Sequence, residues 1–202
     1  MRSSLADAGV EVTANIAVEP GKDEYADAVA KAAADNPQLV YVITYYPEGG
    51  LIAKAMLEAG TSARCLADFG AYDNAYVKAA GLDAAKNCPL VGVPAPGDFP
   101  GSKALVDAYR SSSKEVPGTW APYAYDSVKL LAAAATTAGG FEAKPLRSAL
   151  EAVSGWKGWT GSVAFDAKTG NRLPAPVVVV SASDDGTLHV DDSWAIATSF
   201  KY

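Results

Sequence analysis

Leu39-Val40-Tyr41-Val42-Ile43-Thr44-Tyr45-Tyr46-Pro47-Glu48-Gly49-Gly50 is the stretch on which the fold of this chain turns. The unbroken apolar run from Leu39 to Ile43, rich in β-branched residues, reads as a strand buried on both faces, as in a parallel sheet. Pro47 suits a first helical turn, where its missing N–H has no intrahelical acceptor to lose. Leu51, Ile52, Ala55 and Met56 then recur at helical spacing until Gly60 ends the helix. The stretch is one βα unit.

Units of the same kind flank it. Residues 10–18 are β-rich and closed by Pro20-Gly21, and Tyr25, Ala28, Val29, Ala32 and Ala33 follow at helical spacing up to Asn36-Pro37. Downstream, 64–67 reads as a short strand, 73–80 as a short helix and 89–93 as a fourth strand. Right-handed crossovers make these strands parallel, so the expected class is α/β with a doubly wound parallel sheet. Residues 5–9 read as the tail of a helix already under way.

The texture changes at Pro94, Pro96, Gly97, Pro100 and Gly101, which continue neither strand nor helix; 94–101 is expected to be a hinge. Three helices are expected over 102–114, 122–138 and 144–153, the second with Val128, Leu131, Ala132 and Ala135 on one face. From 158 the pattern is short β segments and turns: 161–165, a Thr169-Gly170 turn, 175–181, Asp184-Asp185-Gly186, and 187–190. The expected organisation is a βα-repeat ligand-binding lobe over 1–93, the hinge, a helical part of another lobe over 102–157, and β segments over 158–202 returning to the first lobe.

Composition excludes several functions. The 202 residues carry a formal charge of −6 with no Lys/Arg cluster, which offers no footprint for nucleic acid or anionic lipid. No apolar run approaches the roughly 20 residues of a membrane helix. The first residues lack the apolar stretch of a secretory signal, leaving mature, truncated and intracellular chains as open readings. A lone His189 makes a catalytic triad improbable, and with only two cysteines metal-ligand spacing is missing. No catalytic residue, metal or cofactor is therefore expected. Glu48, Asp68 and Asp73 could in principle form an acid–base carboxylate pair, but helix capping explains Glu48 and Asp73 more economically. Asp184, Asp185, Asp191 and Asp192 read as turn and solvated charges. Cys65 and Cys88 each begin a strand; adjacent parallel strands would bring them within bridging range, and two small buried hydrophobes is the other open reading.

Ligands of open parallel sheets collect beyond the carboxyl ends of the strands. There the second strand delivers Thr44, Tyr45 and Tyr46, the third Asp68 and Phe69, and the fourth Val93 and Pro94. Tyrosines offer flat apolar area with hydroxyl tips, and Phe69 offers a ring face. Loop-anchoring aromatics are the competing reading from spacing alone.

Resemblance decides between them. Tyr45-Tyr46-Pro47-Glu48-Gly49-Gly50 resembles the Tyr-Tyr-Pro-Glu-Met-Gly segment of bacterial leucine and branched-chain amino acid binding proteins. Pro20-Gly21-Lys22-Asp23, the 121–128 segment Ala-Pro-Tyr-Ala-Tyr-Asp-Ser-Val and the 158–166 segment Gly-Trp-Thr-Gly-Ser-Val-Ala-Phe-Asp echo the same family in the same order. The resemblance implies a type I periplasmic binding fold and a non-enzymatic, extracytoplasmic solute-binding component of an ABC importer, periplasmic or anchored at the cell surface. Its partners would be a small ligand, an amino acid or related carboxylate, and a membrane permease. A ligand-sensing receptor of the same fold is the alternative, and a small α/β hydrolase is a weaker one.

The resemblance implies that Tyr45 corresponds to a ligand-contacting tyrosine; Tyr46, Asp68 and Phe69 are further ligand candidates from the sheet edge, and Trp120, with Tyr123, would add aromatic cover, core packing being the other reading of that pair. Phe69 falls where amino-acid-binding members carry the carboxylate that pairs the ligand's ammonium. Either Asp68 turns inward to replace it, or the ligand is an aromatic or otherwise non-amino carboxylate; the second is the expectation here. The family's earlier segment has no counterpart before Met1. The chain is thus expected to hold one nearly complete lobe plus the helices of a second lobe whose sheet is missing, and to self-associate or to meet the missing half in trans.

Overall fold

The computed structural model describes residues 2–200, which divide into two compact units. The first comprises residues 2–92 and 179–189, the second 93–178 and 190–200. In the first unit, α1 (Arg2–Asp7) leads into an extended segment and then α2 (Ala26–Ala33), β1 (Leu39–Val42), α3 (Tyr46–Glu58) and β2 (Arg64–Ala67). A 3-10 turn (Phe69–Ala71), α4 (Asn74–Ala80), α5 (Leu82–Asn87) and β3 (Leu90–Gly92) follow. In the second unit lie α6 (Lys103–Ser113), α7 (Ala121–Ala138), α8 (Ala143–Glu151), β4 (Trp156–Gly158), β5 (Gly161–Phe165) and β6 (Arg172–Leu173). Then β7 (Val178–Ala182) and β8 (Leu188–Val190) return to the first sheet, and α9 (Asp192–Thr198) ends the described chain.

The first sheet has the order β1-β2-β3-β7-β8, with β1–β2 and β2–β3 parallel and in register Val42↔Ala67 and Ala67↔Leu90. The turn joining β7 to β8 is closed by Ser183 N–H to Thr187 C=O, and so short a connection makes that pair a hairpin. Ala67, Leu90 and Val180 are fully buried, so the sheet's centre is dry. Gly50 lies inside α3, where glycine costs roughly 1 kcal/mol relative to alanine. Close packing explains it: a Cβ there would fall 2.6 Å from the Tyr76 carbonyl of α4. Tyr76 is wholly buried and donates its hydroxyl to the Cys88 carbonyl at 2.8 Å; burial pushes its phenol well above the ordinary range. Cys65 and Cys88 form a disulfide with Cα atoms 4.6 Å apart, stapling β2 to the start of β3.

Two expectations need correction. Residues 10–18 form neither helix nor strand and pair with no strand among the described residues, and most of them are exposed. Their β-branched side chains are stiff at χ1 and suit a pleated sheet, but only ladder hydrogen bonds make a strand, and none forms here among the described residues. Second, the β segments divide: β7 and β8 join the first sheet, whereas antiparallel β4-β5-β6 belongs to the helical unit rather than returning with them. Asp126 of α7 is the cause. Its buried carboxylate accepts Trp159 N–H and Thr160 N–H, both at 2.7 Å, and the Thr160 hydroxyl at 2.6 Å. Gly158 is required by that approach, since a Cβ would meet the Asp126 carboxylate at 2.4 Å.

Candidate functional site

β1 ends at Val42, and the chain turns through Thr44 and Tyr45 into α3. Tyr45 occupies the position before the helix with extended dihedrals (φ −79°, ψ 171°), which turns the chain from strand to helix, and Pro47 stands in the first turn. Tyr45 is 75% exposed and Tyr46 41% exposed. From β2 the chain passes through Asp68 into the 3-10 turn that begins with the exposed Phe69. The two loops are stitched together: Asp68 N–H donates to the Val42 carbonyl at 2.8 Å, and Thr44 N–H donates to Asp68 Oδ1 at 3.2 Å. Tyr45, Tyr46, Asp68 and Phe69 therefore share the carboxyl edge of the first unit's sheet. Val93 and Pro94 lie just beyond the end of β3, where the chain enters the second unit, and both are buried.

The Asp68 carboxylate holds the backbone of the neighbouring loop. Partial burial, and next the charge of Asp68, hold the Tyr41 phenol above its ordinary value, which puts a carboxylate and a phenol within electrical reach at this edge. The other acidic residues are also committed to backbone N–H groups. Glu48 Oε1 accepts Gly21 N–H at 3.0 Å, and Asp73 caps α4 through Ala75 N–H at 2.8 Å. Each of the three thus has a structural task, and no adjacent imidazole or thiol turns any of them into a nucleophile–base pair. Among the described residues no cluster of His, Cys, Asp or Glu could hold a metal ion, and no helix is long and apolar enough to cross a membrane.

Trp120 belongs to the second unit, immediately before α7, and is 48% exposed. Its ring packs on Tyr123 at 6.0 Å between centroids, and Tyr123 meets Phe99 edge-on at the same separation. Arg172, absent from the sequence reading, lies over the Tyr123 ring with its Cζ 6.0 Å from the centroid. It donates to the Thr160 hydroxyl at 2.8 Å and the Thr160 carbonyl at 2.7 Å. The chain Asp126–Thr160–Arg172 thus joins the 121–128 and 158–166 segments. No sequence signal reveals Arg172, because its placement follows from the β5–β6 register that pairs Phe165 with Arg172.

The profile of the family described as "Periplasmic binding protein" matches residues 1–187. Leu/Ile/Val-binding protein homolog 1 of Brucella abortus (strain 2308) is 27% identical over 177 residues, 88% of this chain and 47% of the relative. The leucine-, isoleucine-, valine-, threonine-, and alanine-binding protein of Pseudomonas aeruginosa is 27% identical over 83% of this chain and 44% of its own length. The chain thus spans about half the length of the curated relatives it matches. Among solved structures, the leucine binding protein LivK from Thermotoga maritima shares the fold, with a TM-score of 0.80 and 21% identity over 94% of this chain and 53% of that one. The LivJ substrate binding protein from Streptococcus pneumoniae, solved with isoleucine, has a TM-score of 0.74 and 25% identity over 94% of this chain and 55% of that one. With an α/β sheet whose first three strands run parallel, an aromatic carboxyl edge and a family profile spanning nearly its whole length, this chain belongs to the periplasmic binding protein family and resembles its branched-chain amino acid-binding members.

Proposed function

We propose that this chain binds a small carboxylate and serves as the solute-binding component of an ABC importer, without turnover of its ligand. The observation that carries this reading is that exposed Tyr45, Tyr46 and Phe69 share with Asp68 the sheet edge where α/β folds collect ligands. Monomeric surfaces seldom hold such aromatics together without a use for them. The ligand proposed is an aromatic or otherwise non-amino carboxylate. Phe69 stands where the family resemblance places an ammonium partner, and Asp68, one residue earlier, holds the neighbouring loop through Thr44 N–H. Burying an ammonium without a partner costs about 3–5 kcal/mol. Trp120 is proposed as a further contact.

The Cys65–Cys88 bridge supports an extracytoplasmic setting, because disulfides persist in oxidising compartments. Amide NMR during titration with benzoate-type and phenylacetate-type acids tests the site: resonances of 44–46 and 68–69 should move, and shifts confined to other residues would overturn it.

Association with a further polypeptide surface is part of the same proposal. Val128 on α7 is 69% exposed, with Leu131 and Tyr125 also exposed on that helix. Sedimentation at increasing concentration should show self-association through this face; a dilution-resistant monomer without dye-binding apolar surface would contradict it.

A further inference from the structure

Trp120 is the ligand candidate of the second unit, and its backbone is already set, because its carbonyl accepts Ala124 N–H at 3.0 Å at the start of α7. What the helix leaves open is the ring. A side chain this exposed changes rotamer within nanoseconds unless a neighbour holds it. That neighbour is Tyr123, whose ring centroid lies 6.0 Å from the indole.

Tyr123 is itself held from three directions. Phe99, a core residue, meets it edge-on, its hydroxyl donates to the Pro94 carbonyl at 3.4 Å, and Arg172 lies over its face. Arg172 can steady a ring only if it is fixed, and two bonds fix it. Its Nη1 and Nη2 donate to the hydroxyl and the carbonyl of Thr160, and Thr160 is tied through its N–H and hydroxyl to Asp126. Asp126 stands about one turn beyond Tyr123 on α7, so the network leaves the helix at Asp126 and returns to it at Tyr123.

The guanidinium suits this task. Its planar fork takes both Thr160 oxygens while its face remains available to an aromatic ring, which an ammonium cannot combine. Burial holds the Arg172 guanidinium below its ordinary value, against the pull of Tyr123 and Asp126. A residue needed only to fill this space would be apolar and would avoid that cost.

We infer that Arg172 is a positioning residue for ligand recognition: by fixing the Tyr123 ring it holds the Trp120 indole in the orientation that meets the ligand. The ligand's part in this rests on the function proposed above, whereas the ordering of Trp120 does not.

Arg172→Met, which keeps the length of the side chain and removes the fork, tests it on the intact chain. Nitrogen relaxation of the Trp120 indole without ligand should change from rigid to flexible, and phenylacetate should bind about 3- to 10-fold more weakly, as expected when a side chain must be ordered on binding. The Trp159 and Thr160 amides, held by Asp126, should stay protected from exchange. Tyr123→Leu should free the indole to the same extent, with no further loosening when Arg172→Met is added. An indole that stays rigid in Arg172→Met would overturn the inference, whether or not phenylacetate binds. Lost protection at Trp159 and Thr160 would also overturn it, since Arg172 would then be holding the unit together. So would a freed indole with unchanged phenylacetate affinity. If the unaltered chain binds no aromatic acid while Arg172→Met still frees the indole, the proposed function falls and the positioning of Trp120 stands.

Discussion

Replacing Asp126 by alanine should unfold the second unit far more readily than the first. Asp126 is 4% exposed, and its carboxylate is the acceptor for Trp159 N–H, Thr160 N–H and the Thr160 hydroxyl. Hydrogen bonds to a charged group contribute about 1.5–3 kcal/mol each, and removing the acceptor leaves buried donors unsatisfied. The contributions are not additive, because Thr160 both donates to Asp126 and accepts from Arg172. A loss of about 3–5 kcal/mol is expected, in line with breaking other buried charged networks. Out of a typical total of about 5–15 kcal/mol that is a large share. Thr160→Val should cost about 1–2 kcal/mol alone and little more on top of Asp126→Ala, since the hydroxyl then has lost its acceptor. Urea denaturation followed by tryptophan fluorescence is a suitable assay, because Trp120, Trp156, Trp159 and Trp194 all lie in the second unit. Exchange at the Ala67 and Leu90 amides reports the first unit separately. A fluorescence transition shifted by less than about 1 kcal/mol, or equal losses in both units, would refute the reasoning.

Two further outcomes follow from the first unit. Cys65 and Cys88 are 23 residues apart, so reduction or a double Cys→Ser change should lower stability by about 3 kcal/mol through the freed unfolded chain, measured by thermal unfolding with and without reductant. At the β7–β8 turn, the Ser183 hydroxyl and then the Thr187 groups hold the Asp185 carboxyl down to about 2, and Lys86 lowers Asp184 in the same direction. A folded-state value below the unfolded one, near 3.8, means that this stabilisation is fully present above about pH 4 and is lost as pH falls towards 2. Asp185→Asn should flatten the stability–pH curve across that window, and an unchanged acid limb would refute the assignment.

The βα rhythm was legible because periodicity and punctuation agreed. Leu39 to Ile43 is apolar throughout, Pro47 opens a helix and Gly60 follows it, and the structure places β1 and α3 there. Residues 10–18 are also β-rich yet form no ladder among the described residues. Composition reports which side chains suit a strand, whereas pairing is a property of two segments. The short helices α5 and α9 carry no apolar period of their own, whereas α4, equally short, was marked by Asp73 before it and Gly81 after it. Asp191 did mark the start of α9, since it caps Trp194 N–H, but it was read as a solvated charge. At the candidate site, Tyr45, Tyr46, Asp68 and Phe69 could be placed on one edge by counting strand ends. The bond from Thr44 to Asp68 could not, because it depends on how far each loop overshoots its strand. Arg172 was invisible for a similar reason: its partners lie across a register that no local pattern encodes.

Calorimetric titration of the unaltered chain and of Phe69→Glu, each against aromatic carboxylates and against leucine-class amino acids, bears most directly on the proposed ligand class. The unaltered chain is predicted to bind aromatic or other non-amino carboxylates in preference, and Phe69→Glu, which supplies a partner for an ammonium, is predicted to shift that preference towards amino acids. Tight binding of leucine-class ligands by the unaltered chain, with aromatic acids inert, would contradict the account.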